Sequence, residues 1–299
     1  MTTAHKSRVL DMTRGDPFRL VLQFSLPLFC SNLLQQVYNL TDTALAGHLL
    51  GSAALAEIGA TAALYGLIMN FAFGMNNGLA LTVSRCFGAG EREGIRRAVG
   101  WMVTLSAAVS LVLTTVSLLG RGALLQALQV PAEVWDGAAA YLTVILLGIP
   151  LTMLYNMEAA LLRAVGNSVT PLLFLLFSSV LNVGLDAAFM GPLGMGVRGA
   201  AVATVLAQGI SAVLGAVYLV RSYPELHFTP AHLKKSTRRA VMNMFWAGMS
   251  MGLMSAIYNL GSVALQSSIN ALGSVYITAQ TAARRMAEMY FIPGGALGI

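Results

Sequence analysis

Four polar residues share one strip of the first long apolar stretch: Asn32, Gln35, Asn39 and Asp42, spaced i, i+3, i+7 and i+10. At helical periodicity they lie on a single face. A second stretch carries Asn182 and Asp186 at i, i+4, and a third carries Thr204 and Gln208 at i, i+4. A fourth holds Asn259, Ser262, Gln266 and Asn270 with no acid among them. An Asp at the centre of a bilayer costs about 2.5–3.5 kcal/mol on insertion scales, so such residues must face protein or a wet cavity. Amides and hydroxyls in these places often just tie neighbouring helices together. Asp42 and Asp186 differ, because no basic residue lies in either stretch to neutralise them. An unpaired intramembrane acid is suited to taking up and releasing a proton or a metal ion. Gln35, Asn39 and Asn259 are the residues expected to line a cavity and meet a substrate.

The elements that carry these residues follow from composition. Of 299 residues, 57% are hydrophobic and 10% charged, with a mean hydropathy of +0.71. Soluble domains carry roughly a quarter charged residues, so that class is excluded. Charge-free runs cover 20–41, 58–84, 98–120, 137–157, 164–185, 199–220 and 240–283. Each reaches the roughly 20 residues a helix needs to cross the hydrocarbon core. The last is long enough for a seventh span and the start of an eighth. The fold class is an all-α polytopic membrane protein. Pro27, about four turns before Asp42, permits a bend in the first span. Glu158 and Arg163 flank the turn after the fourth span, and Glu57 lies near the outer end of the second. All three are expected at the interface. Arg284 and Glu288, at i, i+4, read as an intrahelical ion pair.

Basic residues set the orientation. Fourteen Lys and Arg fall on one side, in the N-terminal tail and the loops after spans two, four and six. Only Arg121 and Arg198 fall in loops on the other. The positive-inside rule places the N-terminus in the cytoplasm, and the plasma membrane of a bacterial-type cell is the expected location. The net charge of +6 therefore reports topology and not a nucleic-acid partner. The first apolar run is too long for a cleaved signal and is read as a retained span. Cys30 and Cys86 form no disulfide framework or metal cluster.

An internal repeat shapes the architecture. Tyr38-Asn39-Leu40 recurs as Tyr258-Asn259-Leu260, and Leu50-Gly51-Ser52 as Leu272-Gly273-Ser274. Six spans separate the copies, an even number, so both run the same way through the membrane. The pattern predicts parallel six-helix repeats. It divides the chain into an N-terminal lobe at 1–220, a cytoplasmic linker at 221–239 and the start of a second lobe at 240–299. On this reading the first lobe is complete and the second is cut after about two spans. Two whole lobes would reach about 440 residues.

These residues resemble a known family. The run Gln36-Val37-Tyr38-Asn39-Leu40-Thr41-Asp42-Thr43-Ala44-Leu45-Ala46-Gly47 is similar to the signature of multidrug and toxic compound extrusion (MATE) transporters. So are Phe87-Gly88-Ala89-Gly90 and Arg163-Ala164-Val165-Gly166-Asn167 with Pro171. The segment from Asn182 to Gln208, with Asp186, Gly196, Gly199-Ala200-Ala201 and Ala203-Thr204, is the most specific match. The resemblance implies a twelve-helix, two-lobed antiporter exporting organic cations or other amphipathic compounds. It further implies that Asp42 and Asp186 handle a coupling H⁺ or Na⁺, with Asn182 and Thr204 in the same cluster. Some members use an acid in span seven, and here none occurs from His227 to Ala287.

The chemistry agrees. Two carboxylates in a low-dielectric pocket repel each other, which favours binding a cation between them. Asn182 and Thr204 add neutral oxygens suited to a hard cation such as Na⁺, while a firmer metal site is not expected. No phosphate-binding loop exists for ATP drive, and no Ser/His or His/Glu set falls inside the spans, so an enzyme is not expected. The expected partners are the bilayer and small amphipathic or cationic substrates, without a cofactor beyond H⁺ or Na⁺, and the expected state is a monomer. A lipid-linked precursor flippase is the alternative cargo class, but it calls for basic residues lining the central cavity. A non-transporting remnant is the third reading.

Overall fold

The structure, a computed structural model, describes residues 15–270 except Gln129 and Pro131. The side chains at 52, 53, 63, 258, 259 and 262–270 lie outside the described set, as do the eighth span and the Arg284–Glu288 pair. Nine helices follow one another among the described residues, with no strand. They are α1 (Pro17–Leu50), α2 (Ser52–Gly88), α3 (Arg92–Leu119), a short α4 (Arg121–Ala127), α5 (Trp135–Ala164), α6 (Val169–Met190), α7 (Gly196–Ser222), a short α8 (Pro230–Lys234) and α9 (Arg238–Asn270). Six are long and apolar enough to cross a membrane. A further span comes from α2, which bends by 45° between Ala54–Ala62 and Leu64–Gly88. Every expected span through the seventh is a helix.

Local chemistry explains where the helices start and stop. Asp16 caps α1 by accepting from Phe18 N at 3.1 Å, and Pro17 occupies the first turn, where its missing N–H costs nothing. Pro27 sits inside α1, and Ser31 Oγ donates to the Pro27 carbonyl at 2.8 Å. Gly51 alone joins α1 to α2, with a φ of +84° that a side chain would disfavour. At the α5–α6 corner Asn167, fully buried, accepts from Thr170 N at 3.0 Å. Its amide donates to Thr170 Oγ1 and to the Tyr223 hydroxyl, both at 2.8 Å. The Arg163–Asn167 run is thus a hydrogen-bonded corner.

The side-chain distribution is that of a protein solvated by hydrocarbon. Leu111, Val112, Val116 and Leu119 of α3, and Val213, Val217 and Val220 of α7, point outward and are exposed. Inside, Met75, Leu79, Met102, Leu142, Leu146, Ile149 and Met153 are no more than 1% exposed and join α2, α3 and α5. In lipid there is no hydrophobic drive to bring helices together, so close packing and internal hydrogen bonds hold them. Asn76 supplies both. Its amide donates to the carbonyls of Ala72 at 2.9 Å and Met153 at 3.4 Å, and its Oδ1 accepts from Ser106 Oγ at 3.0 Å. One side chain ties three helices.

The seventh span packs on the second through glycines on both sides. A Cβ at Gly74 would lie 2.5 Å from the Met251 carbonyl, and one at Gly78 2.5 Å from that of Ala247. On α9, Gly248 and Gly252 press on Leu79 and Phe71. The spacing is four residues on each helix, the small-xxx-small pattern that lets backbones touch. As the number rises along α2 it falls along α9, so these two are antiparallel. Since α1 doubles back into α2, α1 and α9 run the same way. That is the direction the parallel repeat requires.

Candidate functional site

Three helices meet at the end of the bundle where α1 turns into α2 and α6 into α7. Asp42 lies eight residues before the end of α1, Asp186 four before the end of α6, and Thr204 eight after the start of α7. The small residues of α7 make the meeting possible. Ala200, Ala201 and Ala203 are no more than 2% exposed, and a Cβ at Gly199 would lie 3.1 Å from Phe189 of α6. Larger side chains there would push α7 away from α6.

The close approach brings Asn182, Asp186 and Thr204 into one buried cluster, with exposures of 1%, 0% and 6%. Asn182 Nδ2 donates to Thr204 Oγ1 at 3.5 Å, and Thr204 Oγ1 donates to the Ala200 carbonyl at 3.0 Å. The Asp42 carboxyl, half-buried, faces that of Asp186. As two carboxylates neither can donate, so the contact becomes a hydrogen bond only when a proton sits between them. Four buried oxygens here have no donor: Asp42 Oδ1, both of Asp186 and Asn182 Oδ1. Buried acceptors are normally satisfied. An excess of acceptors is what a cation supplies the remedy for.

Three tyrosines ring this cluster. Tyr38 of α1 lies beside Thr204, Tyr65 of α2 beside Gln208, and Tyr141 of α5 is 6% exposed near both acids. Gln208 Oε1 also accepts from Thr152 Oγ1 at 2.6 Å. None of the tyrosines stands out from sequence as a site residue. The available signal is that Tyr38 precedes Asp42 by four residues and so shares its face.

The structure brings Asp42, Asn182, Asp186 and Thr204 together. Gln35 and Asn39 do not join them: Gln35 Nε2 donates to Asn39 Oδ1 at 3.2 Å, on a more exposed part of α1. The side chain of Asn259 lies outside the described residues. One interfacial expectation needs correction. Glu158 is 4% exposed, inside α5. Arg163 is held by Asn77, its Nη2 donating to Asn77 Oδ1 at 2.9 Å, and lies over the Phe73 ring at 5.5 Å. The charge-free run ends at Met157, but the helix runs on to Ala164 with Glu158 turned inward. Glu57 is half-buried against Gly137 of α5.

A bundle of apolar-faced helices around a buried carboxylate pair is the construction of an integral membrane protein with a polar site among its spans. The MatE family profile matches residues 27–188, over half of the chain, which therefore belongs to the MATE family. It is 28% identical over 291 residues to YpnP of Bacillus subtilis, described as a probable multidrug resistance protein, covering 97% of this chain and 65% of that one. Among solved structures, it resembles a MOP-superfamily transporter from Pyrococcus furiosus with a TM-score of 0.84 and 26% identity, over 96% of this chain and 63% of that one. An outward-facing multidrug resistance MATE transporter matches with a TM-score of 0.84 and 25% identity, over 96% and 63%. The chain spans about 65% of the length of its curated relative.

Proposed function

We propose that this chain is the cation-handling part of a secondary antiporter that exports organic cations or other amphipathic compounds in exchange for H⁺ or Na⁺ by alternating access. The coupling ion binds at Asp42 and Asp186, with Asn182 and Thr204 as neutral ligands. The observation that carries this reading is the convergence of four buried acceptor oxygens with no donor. A proton bridges the two carboxyls, while Na⁺ draws on the amide and hydroxyl oxygens as well. Either ion cancels a repulsion that the fold leaves in place. Gln35 and Asn39, and Asn259 in the seventh span, are the substrate-facing residues on this reading. The lobe extends over 1–220, the linker over 221–239 and the second lobe from 240 onward. The protein works as a monomer in the plasma membrane, with its N-terminus in the cytoplasm.

The direct test is ion binding to the reconstituted chain, measured as Na⁺ uptake and proton release across a range of pH. Asp42→Asn and Asp186→Asn keep shape and hydrogen-bonding capacity but cannot change charge. Both are expected to reach the membrane and lose cation binding. Wild-type binding in both variants would end this reading. Orientation is tested separately with an impermeant thiol reagent: Arg92→Cys is expected to label only from the cytoplasmic side.

A further inference from the structure

A second buried acid lies at the opposite end of the bundle from Asp42 and Asp186. Glu158 sits six residues, about 9 Å, before the end of α5. It is 4% exposed, and its Oε1 has no hydrogen-bond partner. Its Oε2 occupies space that a side chain at Gly215 of α7 would fill. Ser211, one turn earlier on α7, is 1% exposed, and its hydroxyl also lacks a partner. Both residues line one small cavity of about 10 Å³, closed on the α6 side by Pro171 and Phe174.

The surroundings decide what this pocket can hold. On α5 itself the nearby titratable groups are Tyr155 and Arg163, and Arg163 is engaged by Asn77 and Phe73 of α2. From α6 the facing residues are apolar, and from α7 they are Ser211 and Gly215, with Tyr218 further along against Phe174. Among the described residues the recorded ion pair is a distant one, His232 with Glu93. A fixed carboxylate here would be a charge without a counterion, which low-dielectric surroundings do not tolerate. Na⁺ needs more oxygens than the Glu158 carboxyl and the hydroxyls of Ser211 and Tyr155 provide, and the space is close to the smallest that admits a water. A proton needs one acceptor.

We propose that Glu158 is a proton-binding site, separate from the Asp42–Asp186 pair, whose neutral carboxyl is hydrogen-bonded within the cavity it shares with Ser211. Protonation lets α5 lie flush on α7 at Gly215. Loss of the proton places a bare charge in that seam and favours its opening to water. Glu158 thereby makes the packing of α5 on α7 depend on pH.

Infrared spectroscopy of carboxyl groups in the reconstituted full chain tests this. At neutral pH the wild type is expected to show a protonated-carboxyl band that is absent in Glu158→Gln and fades as pH rises. The band is expected to persist in an Asp42→Asn, Asp186→Asn double variant, which separates this site from the one proposed above. Identical carboxyl bands in wild type and Glu158→Gln at every pH would overturn the proposal. So would a band lost only in the double variant. Ser211→Ala and Gly215→Ala, which keep the acid, are each expected to shift the band. No shift in either would overturn the shared cavity, even if Glu158→Gln failed to fold.

Discussion

The Asn76 knot and the Asp42–Asp186 cluster both join helices of one bundle through polar side chains, and Asn76 and Asp186 are equally buried. At Asn76 every polar atom has a partner: the amide donates to two carbonyls and the oxygen accepts from Ser106. At Asp186 neither carboxylate oxygen has a donor, and Asn182 keeps one oxygen idle. The difference is one of completeness. A polar cluster that satisfies itself holds helices together, whereas one that lacks donors needs something from outside.

That contrast can be broken by substitution, and the largest effect should fall on ion binding. Asp186→Asn is expected to lower cation affinity more than tenfold, a loss above about 1.4 kcal/mol, with little loss of thermal stability. A clear fall in Tm with ion affinity intact would make Asp186 a structural residue like Asn76. Asn76→Ala should do the reverse, lowering stability by about 1–3 kcal/mol because it strands a buried hydroxyl. Thermal unfolding in detergent reads that change, and ion binding should stay at the wild-type level. Thr204→Val removes a neutral ligand while keeping the volume. It should weaken Na⁺ binding several-fold and leave proton binding nearly unchanged, which a competition titration would resolve. The smallest effect belongs to Ser106→Ala, about 0.6–1.7 kcal/mol of stability, the range of single hydrogen bonds within membranes.

Much of this was legible in the sequence because hydrocarbon penalises charge so heavily. Runs without charge mark all the helices from α1 to α9 that cross the bilayer, and the two acids that end the first and fifth of those runs mark the cluster. The same rule misleads at Glu158, where a charge falls inside a helix and not at its end. A carboxyl can stay inside when a glycine opposite it leaves room, and Gly215 is 57 positions away in sequence. The seam between Gly74, Gly78, Gly248 and Gly252 was hidden for another reason. Glycine is frequent in membrane helices, so only the facing pair of four-residue spacings gives it meaning. Tyr65 and Tyr141 reach the site from α2 and α5, neither of which carries one of the two acids, so their positions in the sequence do not link them to it.

The helices that carry the two acids differ greatly in length. At 34 residues α1 extends about 51 Å, whereas the 22 residues of α6 extend about 33 Å. A hydrocarbon core of about 30 Å suits α6 almost without adjustment. The excess in α1, about 18 Å, has to be absorbed by leaning, by the bend Pro27 permits, or by emerging into the headgroups. A bilayer of longer acyl chains draws more of α1 inside, and a thinner one makes it lean further. Of the two helices that carry the acids, α1 is therefore the one that has to adjust when the bilayer changes thickness.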